Sequence, residues 1–201
     1  MKKTFTLALM LLLTLALLAC GSSDTDSPKQ AAQTFFSAYK AQDMTKLASV
    51  YAGDSAEFNF DMLQDDGEDE FSLKLQEALT DKLMDFDYDI SDEVIDGDTA
   101  TVQVKITTYN LESVVQDLFT DLIGLAFSGE VDLDDEALMN EYAARIIDEK
   151  LDAATKDFEA TVTLGLERLD GSWKVDPIAA NSDLMNALTG GMMNAIADLG
   201  F

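Results

Sequence analysis

Two stretches of this chain change side with every residue, and each runs into an Asp-Gly turn. In Asp85-Phe86-Asp87-Tyr88-Asp89-Ile90 the apolar residues Phe86, Tyr88 and Ile90 fall on one face, and Asp85, Asp87 and Asp89 on the other. A period of two belongs to a strand with one covered face and one wet face. Asp96-Gly97-Asp98 then signals a hairpin. The return strand, Thr99 to Tyr109, points Ala100, Val102, Val104 and Ile106 inward and Thr101, Gln103, Lys105 and Thr107 outward. The pattern recurs from Phe158 to Leu169, with Phe158, Ala160, Val162, Leu164 and Leu166 on one face. Asp170-Gly171 turns that strand into Ser172-Trp173-Lys174-Val175-Asp176, and Pro177 ends it. Two hairpins, each with one apolar face, require an antiparallel sheet covered by something else.

Helical spacing supplies the cover. Ser27 and Pro28 read as N-cap and first helical residue, followed by Ala31, Ala32, Phe35, Phe36 and Tyr39 on one side. Gln42-Asp43 interrupts, and Met44, Leu47, Val50 and Tyr51 mark a second short helix. Residues 53–70 read as an acidic loop holding Phe58 and Phe60, and residues 71–84 as a third helix. Between the hairpins, Leu111 to Phe127 carries a wide apolar stripe, Ser128-Gly129 stops it, and Asp134 to Leu151 forms another helix. Ser182 to Leu199 has helical spacing at Leu184, Met185, Leu188, Met192, Met193 and Ile196, with Gly190-Gly191 weakening or bending it. This Met-rich end reads as a capping helix; the alternative is a lid hinged at the glycine pair.

The N-terminus is of another kind. Met1-Lys2-Lys3 is followed by an apolar stretch from Leu7 to Leu18 and by Leu17-Leu18-Ala19-Cys20, which contains the only cysteine of the chain. The apolar run is too short for a stable span. The segment resembles a bacterial lipoprotein signal peptide with its lipobox. The resemblance implies cleavage before Cys20, a diacylglycerol thioether on Cys20 and usually an acylated amine, hence a membrane partner reached through lipid. Residues 1–19 are then the signal peptide, and residues 20–27, small and polar, a lipidated tether. The implied location is the extracytoplasmic face of the cell membrane. In a two-membrane cell it is the outer membrane, since Gly21 rather than Asp follows Cys20.

Charge restricts the partners. The 201 residues carry 39 acidic and 13 basic side chains, a net charge of −26. Loss of Lys2 and Lys3 on cleavage leaves 11 basic against 39 acidic groups, or −28, over 182 residues. Such a surface repels nucleic acid and favours solubility and cationic partners. With no histidine and no second cysteine, a Ser-His-Asp triad, a Cys-His pair, His or Cys zinc sites and an internal disulfide are all excluded.

The last hairpin, Glu167-Arg168-Leu169-Asp170-Gly171-Ser172-Trp173-Lys174-Val175, resembles the L-x-x-D-G-x-W-K-V ending of nuclear transport factor 2-like (cystatin-like) domains. The aromatic first helix followed by Ala41-Gln42-Asp43-Met44-Thr45-Lys46-Leu47 is similar to their opening. The resemblance spans roughly residues 28–178. It implies an α+β fold in which a curved antiparallel sheet wraps around helices as a cone-shaped roll with a pocket. The chain departs from that pattern in a helical insertion, residues 109–156, between its two hairpins. Residues 28–201 are read as a single α+β roll domain, with residues 182–201 as its C-terminal helix.

Candidate pocket-lining residues are Tyr39, Phe86, Tyr88, Val104, Tyr109, Leu164, Trp173, Met192 and Met193. The acid triple Asp85, Asp87 and Asp89 reads as a solvated strand face, and Asp65-Asp66-Gly67-Glu68-Asp69-Glu70 fails the calcium-loop spacing. Neither a cofactor site nor a metal site is expected. The expected function is a surface-anchored, non-enzymatic binding or interaction module for a small apolar ligand or a cell-envelope partner. The alternatives are an enzyme of the isomerase or dehydratase type with a carboxylate base in the cone, and a structural or assembly protein. A homodimer through the sheet face, as in many members of that superfamily, is a further expectation.

Overall fold

The computed structural model describes residues 27–58, 70–128, 136–180 and 182–200. Residues 1–26, read from sequence as a signal peptide, Cys20 and most of a tether, the acidic stretch around Asp65 with Phe60, and the acidic connector 129–135 lie outside the described residues.

Helix α1 (Pro28–Lys40) begins as its sequence requires, with the Gln30 amide donating to Ser27 Oγ at 3.2 Å and Pro28 in the first turn. Asp43 caps α2 (Met44–Val50) by accepting from the Lys46 amide at 3.0 Å. A 3-10 turn (Ser55–Glu57) precedes buried Phe58. Then come α3 (Glu70–Met84), β1 (Asp87–Asp96), β2 (Thr99–Thr108), α4 (Leu111–Ser128), α5 (Glu136–Ala153), β3 (Phe158–Leu169), β4 (Ser172–Val175), α6 (Asp183–Leu188) and α7 (Met192–Asp198).

The four strands form one antiparallel sheet in sequence order, curved and not closed into a barrel. Its central seam runs unbroken from Thr99 opposite Glu167 to Thr108 opposite Phe158, so β2 and β3 pair fully although α4 and α5 intervene in sequence. The alternation read from sequence holds across this seam: Ala100, Val102, Val104, Ile106, Val162, Leu164 and Leu166 are all buried. Helix α1 packs on β1, β2 and β4, and α6 on β2 and β3.

Aromatic contacts fill the space between. Phe35 meets Phe36, Tyr51 and Phe58 at ring-centroid distances of 5.3, 5.9 and 5.6 Å, and Phe36 meets Tyr88 at 5.0 Å. Such pairs add to area burial when edge-on or offset. Burial pushes the Tyr39 hydroxyl up to about 12. Tyr51 leaves α2 to bridge Val175 in parallel, and its hydroxyl accepts from the Ile178 amide at 2.7 Å, fastening the chain beyond β4 to the end of α2.

Three local features differ from the sequence reading. The first strand starts at Asp87 rather than Asp85 and runs on to Asp96, with its register shifted between Ser91 and Val94. Asp92 sits there at φ 49°, a bulge that alternation cannot signal, and Val94 and Ile95 beyond it are exposed. The second helix stops at Val50, because Tyr51 is drawn into pairing with Val175. The C-terminal segment is two short helices rather than one, because Gly190 and Gly191 take positive φ values of 57° and 81°. The break is also tightly seated. A Cβ at Gly190 would overlap the Tyr109 carbonyl oxygen, and the Glu112 amide donates to the Gly190 carbonyl at 2.9 Å. Only glycine fits both that φ and that approach.

Asp176, just past β4, lies half-buried against Gly165 and near Glu167. Burial, with a smaller contribution from the Glu167 charge, raises its carboxyl above the ordinary aspartate value. An acid with a raised folded pKa costs stability when ionised; the cost is full above the folded value and absent below the unfolded one.

Phe35→Ala is expected to lose about 3–5 kcal/mol in urea unfolding. Gly190→Ala is expected to lose about 1–3 kcal/mol, and an unchanged midpoint would contradict the packing described. Asp176→Asn is expected to raise the thermal midpoint at neutral pH and leave it unchanged in strong acid.

Candidate functional site

Where α1 and α3 end, the chain opens an exposed cleft. Lys40 closes α1, Lys82 lies in the last turn of α3, and both sit where a helix C-terminus favours a cation. Asp85 follows α3, and Tyr109 follows β2. Together with Asp81 and Met84 these residues line a cleft of about 530 Å³, within the range of small-molecule sites.

The polar groups are unequally engaged. Lys156 Nζ bridges Asp85 Oδ1 at 2.8 Å and Asp87 Oδ2 at 3.0 Å. Tyr109 Oη donates to the other oxygen, Asp85 Oδ2, at 3.3 Å. The Lys156 hydrogen bond, the largest influence, holds the Asp85 carboxyl below its ordinary value against partial burial. For Lys156, partial burial opposes the charge, but the hydrogen bonds to Asp85 and Asp87 prevail and raise its pKa. The stability contributed by Asp85 is therefore present above the ordinary carboxylate pKa and is lost as pH falls through its depressed value. That contributed by Lys156 is present below the ordinary lysine pKa and is lost as pH rises through its raised value.

The other two lysines have no carboxylate within ion-pair distance among the described residues. Lys82 Nζ stands 4.1 Å from the Tyr109 ring centroid, and Lys40 Nζ donates to the Phe86 carbonyl and lies 5.4 Å from the Phe86 ring. The cleft thus holds one bridged carboxylate, Asp85, and two ammonium groups with donors to spare.

Of the residues singled out from sequence, Tyr109 lies in this cleft. Tyr39, Phe86 and Tyr88 join the ring cluster, with Phe86 6.1 Å from each of the other two. Val104 and Leu164 lie on the buried inner face of the sheet, and Trp173 is buried on β4 with Arg168 stacked 5.7 Å from its ring. Met192 and Met193 are half-buried on α7, which packs on α4. Cys20 lies outside the described residues. Sequence reasoning did not single out Lys40, Asp81, Lys82 and Met84, and it placed Asp85 on a solvated strand face. The bridge from Lys156 ties residues 71 positions apart, a separation no local pattern carries.

No His, Cys, Asp and Glu cluster suited to a metal ion occurs among the described residues, and no described helix is long and apolar enough to cross a membrane. On α4, Phe119, Ile123 and Phe127 form an exposed stripe at four-residue spacing.

Residues 41–189 match the family model described as a domain of unknown function, DUF5105. The chain belongs to this family. The match begins just after α1 and ends just before the Gly190–Gly191 break. No curated protein matches the chain in sequence. A crystal structure of a "putative lipoprotein (ycdA)" from Bacillus subtilis is similar at a TM-score of 0.49 and 13% identity, over 83% of this chain and 56% of that one. The chain thus spans little more than half the length of that protein.

Lys156→Gln is expected to return the Asp85 carboxyl toward the ordinary aspartate range, read by carboxyl-carbon NMR titration. An unmoved Asp85 would show that the bridge does not set its acidity.

Proposed function

We propose that this chain is a lipid-anchored, non-enzymatic binding module of the bacterial cell envelope that works through its surface cleft. The anchor rests on the Lys2-Lys3, apolar and Leu17-Leu18-Ala19-Cys20 sequence. Its lipid would hold the acidic domain on the extracytoplasmic side at the end of a short polar tether. The arrangement of α1 against a curved sheet is in keeping with a nuclear transport factor 2-like roll.

One observation carries the choice of binding over catalysis. Asp85 beside Tyr109 is the pair an isomerase or dehydratase would need, a carboxylate base next to a hydroxyl. Yet Lys156 and Tyr109 occupy both Asp85 oxygens, its side chain is 53% exposed, and its acidity is increased. A general base works best with a pKa raised toward the operating pH, and this one is shifted the other way. The inner-face residues that would line a catalytic cone, Tyr39, Phe86, Val104, Leu164 and Trp173, are buried side chains of the core.

The anchor is tested by labelling cells with a palmitate analogue and fractionating wild type beside Cys20→Ser. The expected result is a labelled membrane protein that becomes unlabelled and soluble on substitution. Equal, unlabelled fractions would overturn the anchor.

A further inference from the structure

We infer that the cleft between the ends of α1 and α3 binds a small organic anion, its negative group between Lys40 and Lys82 and its apolar body against Tyr109 and Met84. The inference deepens the binding-module reading and rests on it.

Unpaired charge in the cleft favours an anion. Three carboxylates, Asp81, Asp85 and Asp87, and three ammonium groups, Lys40, Lys82 and Lys156, gather here. Asp85 accepts from Lys156 and Tyr109, and Asp87 from Lys156, so of the three carboxylates only Asp81 has no cation within ion-pair distance among the described residues. An anion would find two lysines, neither paired with a carboxylate among the described residues. Lys82 rests on an aromatic face, a weaker partner than an anionic oxygen, and can donate to a ligand without breaking an ion pair. Lys40 spends one of its three donors on the Phe86 carbonyl and keeps the others.

The net charge of −28 on the mature chain opposes an anion at long range. At physiological ionic strength fields decay over about 8 Å, so remote carboxylates act weakly on an anion held directly between Lys40 and Lys82. The walls also fit an amphiphilic ligand, because Met84 and the Tyr109 ring offer apolar contact beside the ammonium groups.

The test uses three probes of one shape: benzoate, benzylammonium and neutral benzyl alcohol. Each is titrated into the mature chain in phosphatidylcholine nanodiscs, and NMR follows the Tyr109 ring and Met84 methyl signals. The expected result is a saturable shift with benzoate, stronger than with benzyl alcohol and absent with benzylammonium. Lys82→Gln should weaken benzoate about tenfold, the loss of one charge-assisted hydrogen bond, and Lys82→Arg should restore most of it. The thermal midpoint of each variant confirms that it folds. Benzylammonium binding in preference to benzoate would overturn the anion assignment and leave the binding-module reading standing. Shifts that ignore Lys82→Gln would overturn the site. Silence with all three probes would overturn both the anion assignment and the cleft as the working surface, whereas failure of the anchor appears separately in the Cys20→Ser fractionation.

Discussion

The rings of Phe35 and Phe36 are what the inner face of the sheet is built against. A four-stranded sheet with one apolar face cannot stay in water uncovered, and these two side chains, both fully buried, seat α1 across it. Tyr51 and Phe58 extend the same cluster from the far side, and the Tyr51 hydroxyl then fixes the segment after β4. Because α1 is held along its length, its last residue is held too. Lys40 reaches the cleft because the aromatic contacts upstream leave the helix only one place to end.

Electrostatics acts on two scales in this molecule. Over the whole chain, excess carboxylate favours solubility and keeps like surfaces apart. Around Asp85 the composition is locally different, because the ends of two helices and the segment between α5 and β3 each deliver a lysine. Lys156 is consumed in holding Asp85 and Asp87 together across the start of β1. Lys40 and Lys82 are oriented by carbonyl and ring contacts instead, which leaves their positive charge less compensated.

Most of the framework was legible from sequence because it is set by short-range periodicity. Alternation located the inward residues of β2 and β3, Ser27-Pro28 located the start of α1, and Asp-Gly located both hairpin turns. The parts that were not legible depend on residues far apart in sequence or on backbone angles. The bulge at Asp92 needs a positive φ that a non-glycine residue does not advertise. The Gly190–Gly191 pair was visible as a weak point, but its tight approach to Tyr109 and Glu112 was not. The cleft was the least legible feature. Lysines among many acids look like ordinary surface until the fold brings Lys40, Lys82 and Lys156 around one cleft.

The unbroken pairing of β2 with β3 has a kinetic consequence. The two outer strand pairs are joined by tight turns and can close within their own stretch of chain. The middle of the sheet joins segments separated by α4 and α5, so its ends meet only after a much larger loss of chain freedom. In chain entropy the cheaper order of assembly runs from the margins inward, each hairpin closing its own short turn before the seam between β2 and β3 closes the longer loop that carries α4 and α5.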